Sequence, residues 1–237
     1  MSRLEGTVYL IPVELYEGVN ETIAPYVIEA VKKCSVFFVE NERTARRCFK
    51  RLWPQMIIDD YTWIPIHKAE AEVLAQFTKY LQKGKTIGIV SEAGCPGIAD
   101  PGQLLVACAQ QLMASVKPLS GPNSILLALM GSGLNGQSFR FSGYLPIDSI
   151  SRKNAIRIME KEALETGTTQ IFIETPYRNR PLLKDITESC RNETLLCIAC
   201  DLTASTEWVK TLSVCEWKKQ EPDIHKKPAI FLLGIPH

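Results

Sequence analysis

The chain has 237 residues, enough for one large domain or two compact ones, and its 46% hydrophobic content is that of a globular protein, not a disordered one. Its 27 basic and 26 acidic residues leave a net charge of +1, which excludes the global basicity behind nonspecific nucleic-acid binding, so any RNA contact must be local. The opening MSRLEGTVYLIPVELYEG soon meets acids and no apolar run nears the roughly 20 residues of a membrane span, so a cytoplasmic protein without membrane contact is expected.

Apolar runs that read as strands occur at Thr7–Pro12, Ser35–Glu40, Thr86–Val90 and Val116–Leu119. Between them, apolar spacing predicts helices over Glu21–Lys33, Ala69–Lys83 and Leu104–Met113, and basic residues from Arg43 to Arg51 share another helix. This alternation implies a parallel sheet covered by helices. After SGPNS the rhythm changes. Helices Ser124–Met130, Ser151–Glu165 and Arg180–Cys190 alternate with strands Phe139–Ser142 and Thr169–Glu174; strands Leu195–Cys200, Trp208–Ser213 and Ala229–Leu233 then follow closely. The second half should hold a mixed sheet. We expect a two-domain α/β fold divided as 1–118 and 119–237, with a mainly parallel sheet in the first part.

Eight cysteines could suggest disulfides, but Cys34, Cys108, Cys197 and Cys200 lie within apolar patterns, where cysteine acts as a small hydrophobe. Cys197 and Cys200 have C-x-x-C spacing, yet no second ligand pair accompanies them and residues three apart on a strand face opposite ways. With only His67, His225 and His237 besides, no metal site is expected.

The most informative stretch is VSEAGCPGIADPG, Val90–Gly102, directly after the apolar run IGIV. Glycines reach positive φ and admit a ligand to the main chain, while Pro96 and Pro101 stiffen the turns. Ordinary strand-to-helix connections take about two to six residues, so this longer loop at the carboxyl edge of a sheet reads as a ligand loop. Downstream, Gly121 and Pro122 make a turn, and Asn123 or Ser124 can cap the helix that follows. Exposed amides at such an end can also hold polar ligand groups.

VSEAGCPGIADPG, PLSGPNSILLALMGSGL, FSGYLP and IFIETPYR occur in an order and spacing that resembles the tetrapyrrole methylase superfamily, most nearly its ribosomal RNA small-subunit methyltransferase branch. The resemblance runs from Gly6 to the last strand. It implies two α/β domains around S-adenosylmethionine, usually as a homodimer, with ribosomal RNA as the substrate. Carried over by motif, the cofactor residues would be Glu92, Ala93, Gly94, Cys95 and Pro96 in the loop, Gly121, Ser124 and Ile125 at the junction, and strand ends at Ile173, Ala199 and Ala229. A ribose hydroxyl acceptor must lose its proton, which a carboxylate or a cation would assist. Glu40, Glu42 and Arg43 in VENERT, with Glu174 and Arg178 in ETPYR, are the candidate catalytic groups. A solvated helix start explains the first three equally well, and an internal ion pair the other two.

Arg43, Arg46, Arg47, Lys50 and Arg51 could meet phosphates, although a charged helix face is more often merely solvated. Trp53, Ile57, Ile58, Trp63 and Ile64 are candidates for a dimer interface or for core. Departures from the branch pattern are PVELYEG after Ile11, Glu92 in place of aspartate, which moves the carboxylate by about 1.5 Å, Tyr177 in place of histidine, and CDLT at Cys200–Thr203. They leave two alternatives open: methylation of a tetrapyrrole or other small molecule, and a non-catalytic protein that keeps the cofactor cleft.

Overall fold

The computed structural model describes residues 6–66 and 70–236. His67, His237 and the expected helix start at Ala69 lie outside the described residues. The chain divides into two compact units, Met1–Asn123 and Ser124–His237.

The first unit holds five strands, β1 Thr7–Ile11, β2 Val36–Val39, β3 Thr62–Pro65, β4 Thr86–Val90 and β5 Ser115–Pro118, ordered β3-β2-β4-β1-β5. Every pairing is parallel. Helices α1 Pro25–Lys33 and α2 Glu42–Leu52 cover one face, and α3 Glu70–Gln82 and α4 Gln103–Gln111 the other. Period-two alternation divides the side chains between two cores: Tyr9, Ile11, Phe37, Val39 and Val90 meet α1 and α2, whereas Val8, Val36, Phe38, Ile87 and Ile89 meet α3 and α4. Gly88 makes room in the first core, since a Cβ there would stand 2.6 Å from Phe37 Cδ1 and 2.7 Å from Ile11 Cδ1. The chain leaves β1 and β4 toward opposite faces, which opens a crevice at the carboxyl edge between these neighbours.

The second unit contains α5 Ser124–Ser132, β6 Phe139–Tyr144, α6 Ser149–Thr166, β7 Thr169–Ile173, α7 Asn179–Ser189, β8 Leu195–Cys200, β9 Trp208–Ser213, α8 Val214–Trp217 and β10 Ala229–Gly234. The sheet order is β6-β7-β10-β8-β9, with β6 parallel to β7 and the remaining pairs antiparallel. It is the expected mixed sheet. Residues of α6, α7 and α8 pack with Phe172, Ile198 and Phe231 on one face. On the other, Gly131 of α5 brings its backbone to Val209, and Thr211 Oγ1 donates to Ser132 O at 2.7 Å. Cys200 packs on the face shared with α6, α7 and α8 and Cys197 points the opposite way, both fully buried. Burial pushes each thiol up to about 11. Among the described residues no helix is long and apolar enough to cross a membrane.

The interface reading of the segment after α2 does not hold for most of its residues. Trp63 stacks on Phe37 with ring centroids 4.8 Å apart, Ile64 is 7% exposed, and Trp53 and Ile58 pack against the same core; Ile57 alone projects, at 62% exposure. The segment carries β3, which sequence pattern hides because only four residues pair and the strand ends in proline at a sheet edge. Phe37→Ala removes a ring enclosed by Phe49, Tyr61 and Trp63 and should cost about 3–5 kcal/mol. Ile57→Ala should stay within about 0.5 kcal/mol. Urea unfolding of both variants checks the contrast.

Candidate functional site

β4 delivers the chain into Ser91–Gly102, whose backbone is held in conformations that side chains resist. Gly94, Gly97 and Gly102 have φ of +71°, +82° and +118°, and Ala99 joins them at +63°. Gly94 is fixed by two backbone hydrogen bonds to the loop after β1, Val13 N to Gly94 O at 2.9 Å and Gly94 N to Val13 O at 3.2 Å. A Cβ on Gly94 would approach Leu15 Cδ2 to 3.0 Å and Pro122 O to 3.3 Å. Gly121 is equally constrained, because a Cβ there would lie 2.1 Å from Pro12 Cβ. Cys95 Sγ donates toward Pro122 O at 3.4 Å. The ends of β1, β4 and β5 thereby close on one another around Gly94, Cys95 and Gly121, three of the residues singled out by the motifs. Pro96 is buried, while Glu92 and Ala93 are exposed.

Carboxylates gather at this edge. Glu40, just past β2, accepts from Glu92 N at 2.9 Å, and Asn41 Nδ2 donates to Glu92 Oε1 at 3.2 Å. Burial raises the pKa of Asp100 to about 6, reinforced by the negative charges of Glu40 and Glu92 and opposed by a hydrogen bond with Ser91. Asp100 was not among the expected site residues, although it lies in the quoted motif; its signal was a second acid in a loop that already held Glu92. Beside the loop, a cavity of about 480 Å³ is lined mostly by apolar groups, among them Leu10, Pro96, Ile98, Val106 and Leu119.

Beyond Glu40, the polar groups of VENERT serve α2 itself. Asn41 Oδ1 caps the helix, accepting from Arg43 N at 3.1 Å and Thr44 N at 3.2 Å, and Glu42 pairs with Arg46 one turn on at 2.5 Å. Arg43 is exposed in that first turn. The expected phosphate face is largely engaged within the chain: Arg46 also lies over the Trp63 ring, Arg47 and Arg51 reach Glu17 at 3.8 and 3.0 Å, and Lys50 donates to Pro54 O and Met56 O.

In the second unit, Glu174 follows β7 and is 5% exposed. Its Oε1 accepts from Thr175 N at 2.7 Å and Arg178 Nε at 2.9 Å, so Glu174 and Arg178 form the internal ion pair, while the buried Oε2 has no hydrogen-bond partner. The carboxyl end of β8 lies beside them, because β10 pairs Ile230 with Ile173 and Ala229 with Cys200. Ala199 and Ala229 are buried there, and Ile173 is partly buried. CDLT makes a strained turn with Asp201 at φ 51° and Thr203 at φ 71°; Asp201 accepts from Thr206 Oγ1 and meets Lys227 at 3.5 Å. Lys226 lies over the ring of Tyr177, which is 70% exposed. Ser124 opens α5, and Ile125 is buried in its first turn.

A family model described as Tetrapyrrole (Corrin/Porphyrin) Methylases matches residues 18–214. The chain belongs to the tetrapyrrole methylase family. Curated relatives include a "Ribosomal RNA small subunit methyltransferase I" of Buchnera aphidicola, 28% identical over 96% of this chain and 78% of that protein. Proteins of the same description from Synechocystis and Vibrio cholerae are 30% and 35% identical, covering 87% and 65% of this chain and 71% and 52% of their own lengths. The chain thus spans from about half to about four-fifths of these relatives. The methyltransferase CobJ shares the fold with a TM-score of 0.63 at 17% identity, covering 99% of this chain and 95% of its own. A uroporphyrin-III C-methyl transferase from Thermus thermophilus complexed with S-adenyl homocysteine does so with 0.58 at 16%, over 97% of each chain.

The raised pKa of Asp100 has a defined sign in stability. Its folded-state value lies above the ordinary 3.8, so its contribution is fully present below about pH 4 and is lost as pH rises through about 6. Asp100→Asn should therefore melt above the wild type at pH 8, by about 2–4 °C for each kcal/mol of relieved repulsion, and match it near pH 4. Thermal melts across this range provide the check.

Proposed function

We propose that the chain transfers a methyl group from S-adenosylmethionine to ribosomal RNA, at a ribose hydroxyl, as a cytoplasmic homodimer. The observation that carries the reading is the Ser91–Gly102 loop, bridged to Val13 at Gly94 and backed by Glu40, Glu92 and Asp100. These residues fit the methyl donor, a molecule with sulfonium and ammonium charges: the loop offers backbone that side chains do not cover, and the acids offer negative potential. Gly94, Cys95, Pro96 and Gly121 would hold it.

When bound, the cofactor supplies an activated methyl carbon with its own leaving group, so no covalent intermediate with the protein is needed. The chain's part is to orient the acceptor oxygen, exclude water and take its proton. Asp100 would take that proton as a carboxylate of the loop itself; burial, with the charges of Glu40 and Glu92, brings its pKa to about 6, nearer neutrality than an ordinary carboxylate. Glu40 holds the backbone of Glu92, and the Glu174–Arg178 pair shapes the edge of the second unit.

RNA as the acceptor is supported by the descriptions of the curated relatives. The apolar cavity of about 480 Å³ and the engagement of Arg47, Arg51 and Arg178 within the chain favour a second reading, a small apolar acceptor. Dimerisation is supported by exposed Tyr144, Ile147, Ile150 and Ile158 along β6 and α6, at 59–74% exposure.

Calorimetric titration with S-adenosylmethionine tests the cofactor. Saturable binding is expected, lost in Gly94→Val, where positive φ and the neighbouring Leu15 and Pro122 both oppose a branched side chain. The absence of any binding at millimolar concentrations would sink it. Ribose-methylation maps of ribosomal RNA from a deletion strain and its parent then decide the acceptor, with one lost methyl group expected. Identical maps would remove the RNA reading, and binding without transfer to any RNA or small-molecule fraction would mark a protein without turnover. Sedimentation at micromolar concentration should show a dimer; a stable monomer would refute that part.

A further inference from the structure

Glu14 sits in the loop after β1, where this chain departs from the motif pattern of the branch it resembles, and is only 6% exposed. A carboxylate so enclosed persists in its charged form only when paired and hydrogen-bonded. Both oxygens are engaged by α2: Oε1 meets the Arg51 guanidinium, and Oε2 accepts from the Cys48 thiol at 2.7 Å. Arg51 extends the pair to Glu17, gripping the same loop twice. Burial pushes the Glu14 carboxyl up, and the bonds from Cys48 and Arg51 outweigh it, leaving the group below its usual range.

The next residue toward the amino terminus, Val13, makes both hydrogen bonds to Gly94. A cavity of about 220 Å³ lies alongside, lined by Glu14, Cys48 and Arg51 on one side and Ser91, Glu92 and Ala93 on the other. Two backbone hydrogen bonds join two long loops here, and one of those loops is in turn tied to a rigid helix through a partly buried ion pair. An anchored loop transmits the position of its anchor; an unanchored one moves with its neighbour.

We propose that Glu14 is a positioning residue for the cofactor loop: held to α2 by Arg51 and Cys48, it fixes Val13, and Val13 fixes Gly94. This rests on the reading of Ser91–Gly102 as the cradle of the methyl donor. It also gives the arginines of α2 a use that competes with RNA contact, because Arg51 cannot serve a phosphate while it neutralises Glu14.

The test compares Glu14→Gln, Arg51→Gln and the double variant with wild type in three measurements: amide exchange at Val13 and Gly94 without cofactor, affinity for S-adenosylmethionine, and thermal unfolding. Glu14→Gln should speed exchange at both amides and weaken binding by about tenfold, the loss expected for one charged hydrogen bond. The double variant should be no worse than the poorer single one, since the residues act as a unit. Arg51→Lys keeps the charge without the fork and should fall between, and it serves in place of Glu14→Gln if that variant does not fold. Folded variants with unchanged exchange at Gly94 would overturn the proposal. Failure of wild type to bind S-adenosylmethionine would instead overturn the cofactor reading, and exchange at the two amides would still decide whether the clamp exists.

Discussion

The N-terminal unit turns on one contact, the pair of hydrogen bonds between Val13 and Gly94. Parallel strands leave their carboxyl ends unconnected to one another, so the loops beyond them are free unless something ties them across the edge. Here the tie joins β1 to β4, adjacent strands whose chains depart to opposite faces, and Gly94 can accept it because φ of +71° carries no penalty without a Cβ. Gly121 sets the same edge from the β5 side, where Pro12 leaves no space for a side chain. The three loops form one surface only because two of them lack side chains at these points.

Charge follows the same plan. The sequence places five cations on α2 and several acids in the loops around it, which taken alone suggests a basic face. In the fold, Glu14, Glu17 and Glu42 draw Arg46, Arg47 and Arg51 into the chain, and Lys50 turns to backbone carbonyls. Of the other acids, Glu40, Glu92 and Asp100, the last binds its proton more tightly, chiefly through burial and further through the charges of the other two. Near neutral net charge thus conceals a separation: most cations of α2 engaged within the chain, and anions concentrated at the loop edge, where a positively charged ligand gains most.

How much of this the sequence revealed depended on what kind of signal each feature leaves. Strands β1, β2 and β4 are continuous apolar runs because both faces are covered, and such runs read directly. β3 did not, since Thr62 and Pro65 are exposed at its ends and the paired stretch is four residues long. α8 was likewise invisible to periodicity, although its capping box, Ser213 with Glu216, is a local pattern that could have shown it. α1 begins at Pro25, not Glu21, because proline fits the first turn and Asn20–Thr22 forms a separate tight turn. In the site, Gly94, Cys95 and Gly121 were legible as backbone constraints. The pairing of Glu14 with Arg51 was not, because the two lie far apart in sequence and neither belongs to a motif.

That asymmetry bears on what family membership conveys. The stretches on which the family resemblance rests are rich in residues that dictate backbone: Gly94, Gly97 and Gly102 at positive φ, and Gly121 packed against Pro12. Such residues specify where a ligand can approach the main chain, and they do so whatever side chains surround them. The departures fall on Glu14, Glu92, Tyr177 and Asp201, all of which act through their side chains, by ion pair, hydrogen bond or ring contact. A change of acceptor requires new side-chain chemistry around an unchanged cradle, since the methyl donor makes the same demands of every member. Backbone residues such as Gly94 and Gly121 fix where the loops meet whatever side chains surround them, whereas Glu14, Glu92 and Asp201 act only through the partners their side chains find.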